Sequence, residues 1–286
     1  MRKRLLALCL AVALAAACGS DSKPAATSSS SAASRPTKIV SLSATATEML
    51  FAIGAGSQVV AVDDQSNFPP EAPKTALSGF TPNVEAIAGY QPDLVVIPND
   101  TAGLVAGLEN LKIDVLTLPP AKQLTDSYDQ LETLGTETGH TDEANKVVAK
   151  MKSDIAELTK QVPQQLSGKT YYYELDNTFF TATSKTFIGA LIGTTGLENI
   201  ADAADDGSGF PQLSQEKIVE ASPDFIFLAD TKCCAQSKDT VAQRPGWSTI
   251  NAVKTGKIVA LDDDIASRWG PRVVDLFRQI VEAVKT

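Results

Sequence analysis

The chain has 286 residues, of which 43% are hydrophobic, 21% charged and 6% aromatic, and its formal net charge is −9. That is the composition of an ordinary globular chain rather than a disordered or fibrous one, and the length leaves room for one large domain or two of roughly 110 to 120 residues. An acidic chain repels phosphate backbones, which argues against a nucleic-acid partner.

The first eighteen residues, MRKRLLALCLAVALAAAC, join a basic cluster, a short apolar stretch and small residues ending in Cys18. Residues 1–17 have the pattern of an export signal, too short for a stable membrane span. Ala15-Ala16-Ala17-Cys18 resembles a bacterial lipobox, with Ala standing where Leu is usual. Cleavage before Cys18 is expected to leave it lipidated and the protein anchored to the cell membrane on its extracytoplasmic side. Loss of Arg2, Lys3 and Arg4 with the leader takes the net charge from −9 to −12. Residues 18–35 are rich in Ser and Ala, have nothing to pack, and read as a flexible tether.

From residue 36 the chain alternates. KIVSL reads as a strand, and Thr45-Ala46-Thr47-Glu48 has the spacing of a capping box opening the helix MLFAIGAG. VVAVDD is a strand, VEAIAGY a short helix, DLVVIP a strand, AGLVAGLENL a helix and DVLTLP a strand. Continuous apolar strands between helices indicate a parallel sheet covered on both faces. Residues 142 to 162 break the rhythm: Asp142 and Glu143 suit a first helical turn, Val147, Met151, Ile155 and Leu158 fall on one stripe, and Pro163 ends it. Beyond Gly168 the pattern restarts with TYYYEL, KTFIGALIGTTG, LSQEKIVEA, DFIFLA, a helix around TINAV, KIVAL and a final helix PRVVDLFRQIVEAV. The expected architecture is α/β, with an N-terminal lobe over 36–140, a linking helix over 141–165 and a C-terminal lobe over 166–286. Each lobe carries one copy of the element E-x-I-x4-P-D, at Glu85 to Asp93 and at Glu216 to Asp224.

IVSLSATATEMLFAIGAG, VVAVDDQSNFPPEA, PNVEAIAGYQPDLVV, LIGTTGLENI and QLSQEKIVEASPDFIF together resemble the substrate-binding proteins of ABC importers for ferric siderophores, haem and cobalamin. The resemblance runs from about residue 37 to 285 and is greatest to the cobalamin branch in ATEMLFAIGAG and SNFPPEA. It implies two Rossmann-like lobes on one backbone helix, no enzymatic activity, no resident cofactor, and a monomer. It also implies a metal chelate, cobalamin or a ferric siderophore, as ligand, and a permease dimer with its ATPase as partner. In that family one Glu on each lobe docks into Arg pockets of the permease; the matching positions are Glu85 and Glu216, although anionic residues also favour helix N-termini for their own sake.

A ligand between the lobes belongs at the carboxyl ends of the strands. The candidates there are Ala44, Thr45, Asp64, Gln65 and Phe80 from the first lobe. The second lobe offers Phe179, Phe180, Lys232, Ile265, Arg268 and Trp269, and the aromatics Phe80, Phe180 and Trp269 suit a large flat chelate. Position 79, where the cobalamin branch leads one to expect an aromatic, is Gly. Asp63, Asp64, Asp262, Asp263 and Asp264 outnumber Lys185, Lys232 and Arg268, which favours a near-neutral or cationic chelate.

Cys233-Cys234 are the two thiols left once Cys9 is removed and Cys18 lipidated, and they are expected to form a vicinal disulfide facing the cleft. The sole His140 makes no transition-metal site by itself, and no P-loop, nucleophile elbow or H-E-x-x-H string occurs. DDGSGF at 205–210 lacks calcium-loop spacing and reads as a surface loop. Two rival functions stay open: a sensing lipoprotein without a transport role, and an exported hydrolase using Asp64 and Asp263 as a carboxylate pair.

Overall fold

A computed structural model describes residues 35–285 of the chain, so the leader, Cys18 and the tether up to residue 34 lie outside the described residues. Strands β1 (Ile39–Ser41), β2 (Val59–Asp63), β3 (Lys74–Leu77), β4 (Leu94–Ile97) and β5 (Asp114–Thr117) form one sheet in the order β3-β2-β1-β4-β5. A second sheet, β7-β6-β8-β9, is built from β6 (Thr170–Glu174), β7 (Glu198–Asn199), β8 (Phe225–Leu228) and β9 (Ile258–Ala260). Every pairing in both sheets is parallel. Successive side chains enter opposite cores, as the period of two requires: Tyr171, Tyr173, Phe225 and Phe227 face one cluster, and Tyr172, Ile226 and Leu228 the other.

The helices around the first sheet are α1 (Ala44–Ala52), α2 (Val84–Ala88) and α3 (Leu104–Asn110), followed by α4 (Leu124–Thr138) and α5 (Thr141–Thr159). Those of the second are α6 (Phe187–Gly193), α7 (Gln215–Ala221), α8 (Lys238–Ala242), α9 (Asn251–Lys254), α10 (Asp263–Ala266) and α11 (Val273–Lys285). Helix α1 begins two residues earlier than the expected capping box places it. Ser43 is the N-cap, accepting from the Ala46 N–H, which places Thr45 and Glu48 inside the helix and buries both.

The connection between the sheets is α5, three residues shorter at its end than the 142–162 pattern suggested, because the chain leaves the helix before Val162-Pro163. Its 19 residues span about 28 Å at the usual helical rise. Helix α4, which the sequence pattern does not announce, lies antiparallel to it. Gly135 permits the close approach, since a Cβ there would sit 2.5 Å from the Ala144 Cβ, and Gly139, at φ 81°, makes the reversal in a conformation glycine adopts freely. Helix α4 packs on α1, and α5 on α11. One apolar cluster therefore runs without a break from Ile39, Met49 and Leu50 through Leu131, Val148 and Met151 to Tyr173, Phe277 and Ile280. Two further clusters cover the outer faces, one per sheet.

The repeated element has the same construction in both lobes. Asn83 and Ser214 cap α2 and α7, Ile87 and Ile218 bury fully, and Glu85 and Glu216 occupy the second helical position, exposed. The Pro-Asp pair then ties two strands together. Asp93 Oδ2 accepts the Thr37 and Lys38 N–H groups ahead of β1, and Asp224 Oδ2 accepts the Thr170 N–H at the start of β6.

Candidate functional site

A cavity of about 560 Å³ opens between the segments that follow the strands of the two sheets, within the size range of small-molecule sites. Pro120, Ala121 and Lys122, between β5 and α4, form its first-sheet wall. Leu175 after β6, Phe187 and Ile188 at the start of α6, and Phe210 form the opposite one. Arg268 and Trp269 close the base. The lining is mostly apolar, and Phe210 is 50% exposed within it.

Local chemistry sets the shape of the second wall. Gly189 lets α6 start against the preceding loop, where a Cβ would lie 2.0 Å from the Thr183 carbonyl oxygen. Asp205 folds the 205–209 turn around its own carboxylate: Oδ1 accepts the Gly207 and Gly209 N–H groups, each at 3.0 Å, and Oδ2 accepts Lys185 Nζ at 2.8 Å. The Lys185 ammonium, followed by those N–H groups, holds this carboxyl below the ordinary range. DDGSGF is thus not simply a surface loop: it presents Gly207, Ser208, Gly209 and Phe210 to the cavity.

Of the residues expected to contact ligand, Arg268 and Trp269 line the cavity, and the others do not. Ala44 and Thr45 belong to the first turn of α1, with Thr45 buried. Asp64 and Gln65 lie exposed beside each other, and Phe80 is 77% exposed on the first lobe. Phe179 packs against the fully buried Trp247, with ring centroids 6.0 Å apart and the Arg244 guanidinium over its ring, while Phe180 is 40% exposed outside the cavity. Ile265 rests on the shared core, and Lys232 is bound by Asp262 and Asp264. Gly79 admits no side chain, because a Cβ would meet the Leu42 carbonyl oxygen at 2.6 Å and Asp63 Oδ2 at 2.9 Å.

The acidic residues counted against anionic ligands are also elsewhere. Asp63 is buried and accepts from Ser66. Asp262 caps α10. Asp263 binds the Thr231, Lys232 and Cys233 N–H groups and the Thr231 hydroxyl; burial works to raise its pKa, and these donors outweigh it and lower it. A carboxylate so committed is not a free general base, which removes the support for the Asp64–Asp263 hydrolase pair.

Arg268 and Trp269 do more than line the cavity. Arg268 Nη1 donates to Glu48 Oε1 and Asn67 Oδ1, both at 2.8 Å, and Nη2 donates to the Gln65 carbonyl oxygen at 3.0 Å. Arg272 Nε donates to Glu48 Oε2 at 2.9 Å, and its Nη2 to Oε1. The Trp269 indole donates to Gln130 on α4 at 2.8 Å, and its carbonyl oxygen accepts from Ser127. The segment between α10 and α11 is therefore clasped to α1 and α4 of the first lobe, with Glu48 at the centre and 3% exposed.

A second buried cluster closes the end of β6 and β8. Glu174 accepts both Nη1 and Nη2 of Arg244 at 2.6 Å, and Arg244 also donates to Gln236. Asp230 is fully buried beside them, with neither carboxylate oxygen accepting a hydrogen bond. Burial, and then the neighbouring Glu174 charge, pushes its pKa up to about 8, so the two acids and one guanidinium balance by retaining a proton. Cys233 and Cys234 sit in the turn that follows and are free thiols, which corrects the expected vicinal disulfide. The Cys234 N–H bonds the Asp230 carbonyl and the Cys233 N–H bonds Asp263, so the turn keeps regular geometry, whereas adjacent Cα atoms at about 3.8 Å are closer than a disulfide prefers. Burial and the neighbouring thiol raise the Cys233 pKa to about 12. Among the described residues no cluster of His, Cys, Asp and Glu is placed to hold a metal ion, and no helix is long and apolar enough to cross a membrane.

Two parallel-sheet lobes on a helical spine, with an apolar cavity between their strand ends, define a two-lobed binding protein. The family model for periplasmic binding proteins matches residues 39–265, and the chain belongs to that family, one of binding proteins rather than enzymes. It is 30% identical over 258 residues to the uncharacterized ABC transporter substrate-binding lipoprotein YvrC of Bacillus subtilis, covering 87% of this chain and 80% of that one. It is 31% identical over 258 residues to a cobalamin-binding protein of Halobacterium salinarum, covering 87% and 70%. The crystal structure of the periplasmic vitamin B12 binding protein BtuF of Vibrio cholerae superposes with a TM-score of 0.73 at 25% identity, covering 88% of this chain and 97% of that one.

Glu48→Ala strands two guanidinium groups in the lobe contact and is expected to lower unfolding free energy by about 3 to 5 kcal/mol, measured by denaturant unfolding; a loss below 1 kcal/mol would show that the clasp contributes little. Asp230 gives a pH signature. Its folded pKa lies above the unfolded value near 3.8, so it contributes fully below about pH 4 and progressively loses that contribution up to about pH 8. Asp230→Asn should gain melting temperature relative to the parent as pH rises from 5 to 8, and a constant difference across that range would contradict the buried proton.

Proposed function

We propose that the protein is the extracytoplasmic substrate-binding component of an ABC importer, that it captures a metal chelate in the cavity between its lobes, and that it delivers the chelate to a permease dimer served by an ATPase. The observation that carries this reading is the cavity walled by both lobes together with one exposed Glu at the same helical position on each, Glu85 and Glu216. Family membership and the relatives named for ABC transport and for cobalamin binding support it. The ligand-contacting residues we assign are Arg268 and Trp269 with Lys122, Phe187 and Phe210. The sensing role without transport has no feature here that favours it over delivery, and the paired carboxylates favour delivery.

Each Glu stands clear of its helix on a rigid base: a capped first turn, a buried Ile two residues on, and a Pro-Asp tie to a neighbouring strand. A carboxylate so presented suits charge-assisted, directional bonds to Arg side chains, and two of them on separate lobes fix orientation as well as contact. Lipidation at Cys18 supplies the membrane anchor of this reading, and one chain works as a monomer.

Replacing Glu85 and Glu216 together by Ala should abolish chelate uptake in cells while calorimetry on the purified protein still shows one-to-one binding; uptake at the parental rate would remove the docking role. Cys18→Ser is expected to move the protein from the membrane fraction to the soluble one, and unchanged membrane association would mean that another feature anchors it.

A further inference from the structure

The charge on the cavity wall is the reverse of the charge on the chain. The net charge is −9, yet the lining residues include Lys122, Lys185 and Arg268 and no Asp or Glu. We infer that the cargo carries an anionic group, a carboxylate or a similar oxyanion, on an apolar or aromatic body, and that Lys122 is a specificity-determining residue that binds it. The inference rests on the binding-protein reading and narrows its ligand class.

The three cations are not equivalent. Arg268 has its guanidinium engaged by Glu48, Asn67, Gln65 and Asp264, so it is a structural part of the lobe clasp. Lys185 holds Asp205 at 2.8 Å, but its side chain is 75% exposed, and an ammonium with three donors keeps two for another acceptor. Lys122 stands in no ion pair among the described residues. The carboxylate four residues along, Asp126, accepts the backbone N–H groups of Lys122 and Gln123 as part of the α4 capping box, and so faces the helix end. Lys122 is therefore an exposed ammonium on the rim of an apolar cavity, attracted by Asp126 but in direct ion-pair contact with no carboxylate among the described residues.

The geometry divides the cargo's recognition in two. Phe187, Phe210 and Trp269 offer apolar and aromatic area to a flat body. Lys122 comes from the first lobe and Lys185 from the second, so an anionic edge held by both ties one lobe to the other. Partly enclosed by apolar walls, such a contact is worth more than a surface pair, because solvent screens it less. A neutral chelate would gain the apolar area and leave both ammonium groups unused, and a cationic one would meet them with like charge.

The test is calorimetric titration of the purified protein with three probes: haemin, which bears two carboxylates; cyanocobalamin, which is neutral overall; and ferrioxamine B, which is cationic. Haemin is expected to bind most tightly, and its affinity to fall as salt is raised. Lys122→Met should narrow the haemin-over-cyanocobalamin preference by about tenfold, the worth of one charge-assisted hydrogen bond, Lys122→Glu should narrow it further, and Lys122→Arg should restore it. Tighter binding of cyanocobalamin or ferrioxamine B than of haemin, or a preference unmoved by Lys122→Met, overturns the anionic assignment and leaves the binding-protein reading intact. No binding of any of the three probes overturns both.

Discussion

The contact on which the molecule depends is a single carboxylate. Glu48, in the first lobe, receives two guanidinium groups carried by the segment between α10 and α11 of the second. Burying one negative and two positive charges costs a large desolvation energy, and their attraction repays it only with good geometry and further partners. Those partners are present: Asn67, the Gln65 carbonyl and Asp264 take three further bonds from the Arg268 Nη1 and Nη2 groups. The network thus gives register, since Arg268 and Arg272 together engage Glu48, Asn67, the Gln65 carbonyl and Asp264 in one arrangement. The cavity inherits that register, because Trp269 lies between the two arginines and cannot move without them.

The lobes were readable from the chain because their strands are short continuous apolar runs, IVS, LVVI, YYY and FIFL, which hydrophobic pattern identifies directly. The repeat E-x-I-x4-P-D was readable for a similar reason: Asp93 and Asp224 each tie strand to strand, and that local task constrains the spacing. Helix α4 was not, because LTDSYDQLETLGTET mixes Thr, Ser and Gly into a face whose burial comes from packing on α1 and α5. Edge strand β3 and the two-residue β7 were missed for want of length and apolar content.

The site was far less legible. Sequence places a residue after a strand but not the direction in which the loop turns, so Asp64, Phe80 and Phe179, expected at the cleft, are absent from the cavity lining. Glu48 fitted a capping box by spacing alone, when its role depends on residues more than 200 positions away. Phe210 and the Asp205 turn read from sequence as a surface loop, yet they line the cavity. The available signal was Gly207 and Gly209 flanking an acidic pair, which form a tight turn around a carboxylate and aim the aromatic that follows. The expected preference for neutral or cationic ligands rests on counting charges near the strand ends, and that count overlooks that Asp263 is occupied by the Thr231, Lys232 and Cys233 N–H groups.

The unbroken apolar cluster from the first sheet through α4 and α5 to the second has a mechanical meaning. Two bodies sharing one core cannot hinge widely, because opening would expose that surface to water. A cavity walled by two bodies on one shared core keeps its shape, and a site held in shape spends little affinity on populating a competent state. Anything that separates the lobes has to expose that shared surface, and so has to do work on both lobes at once.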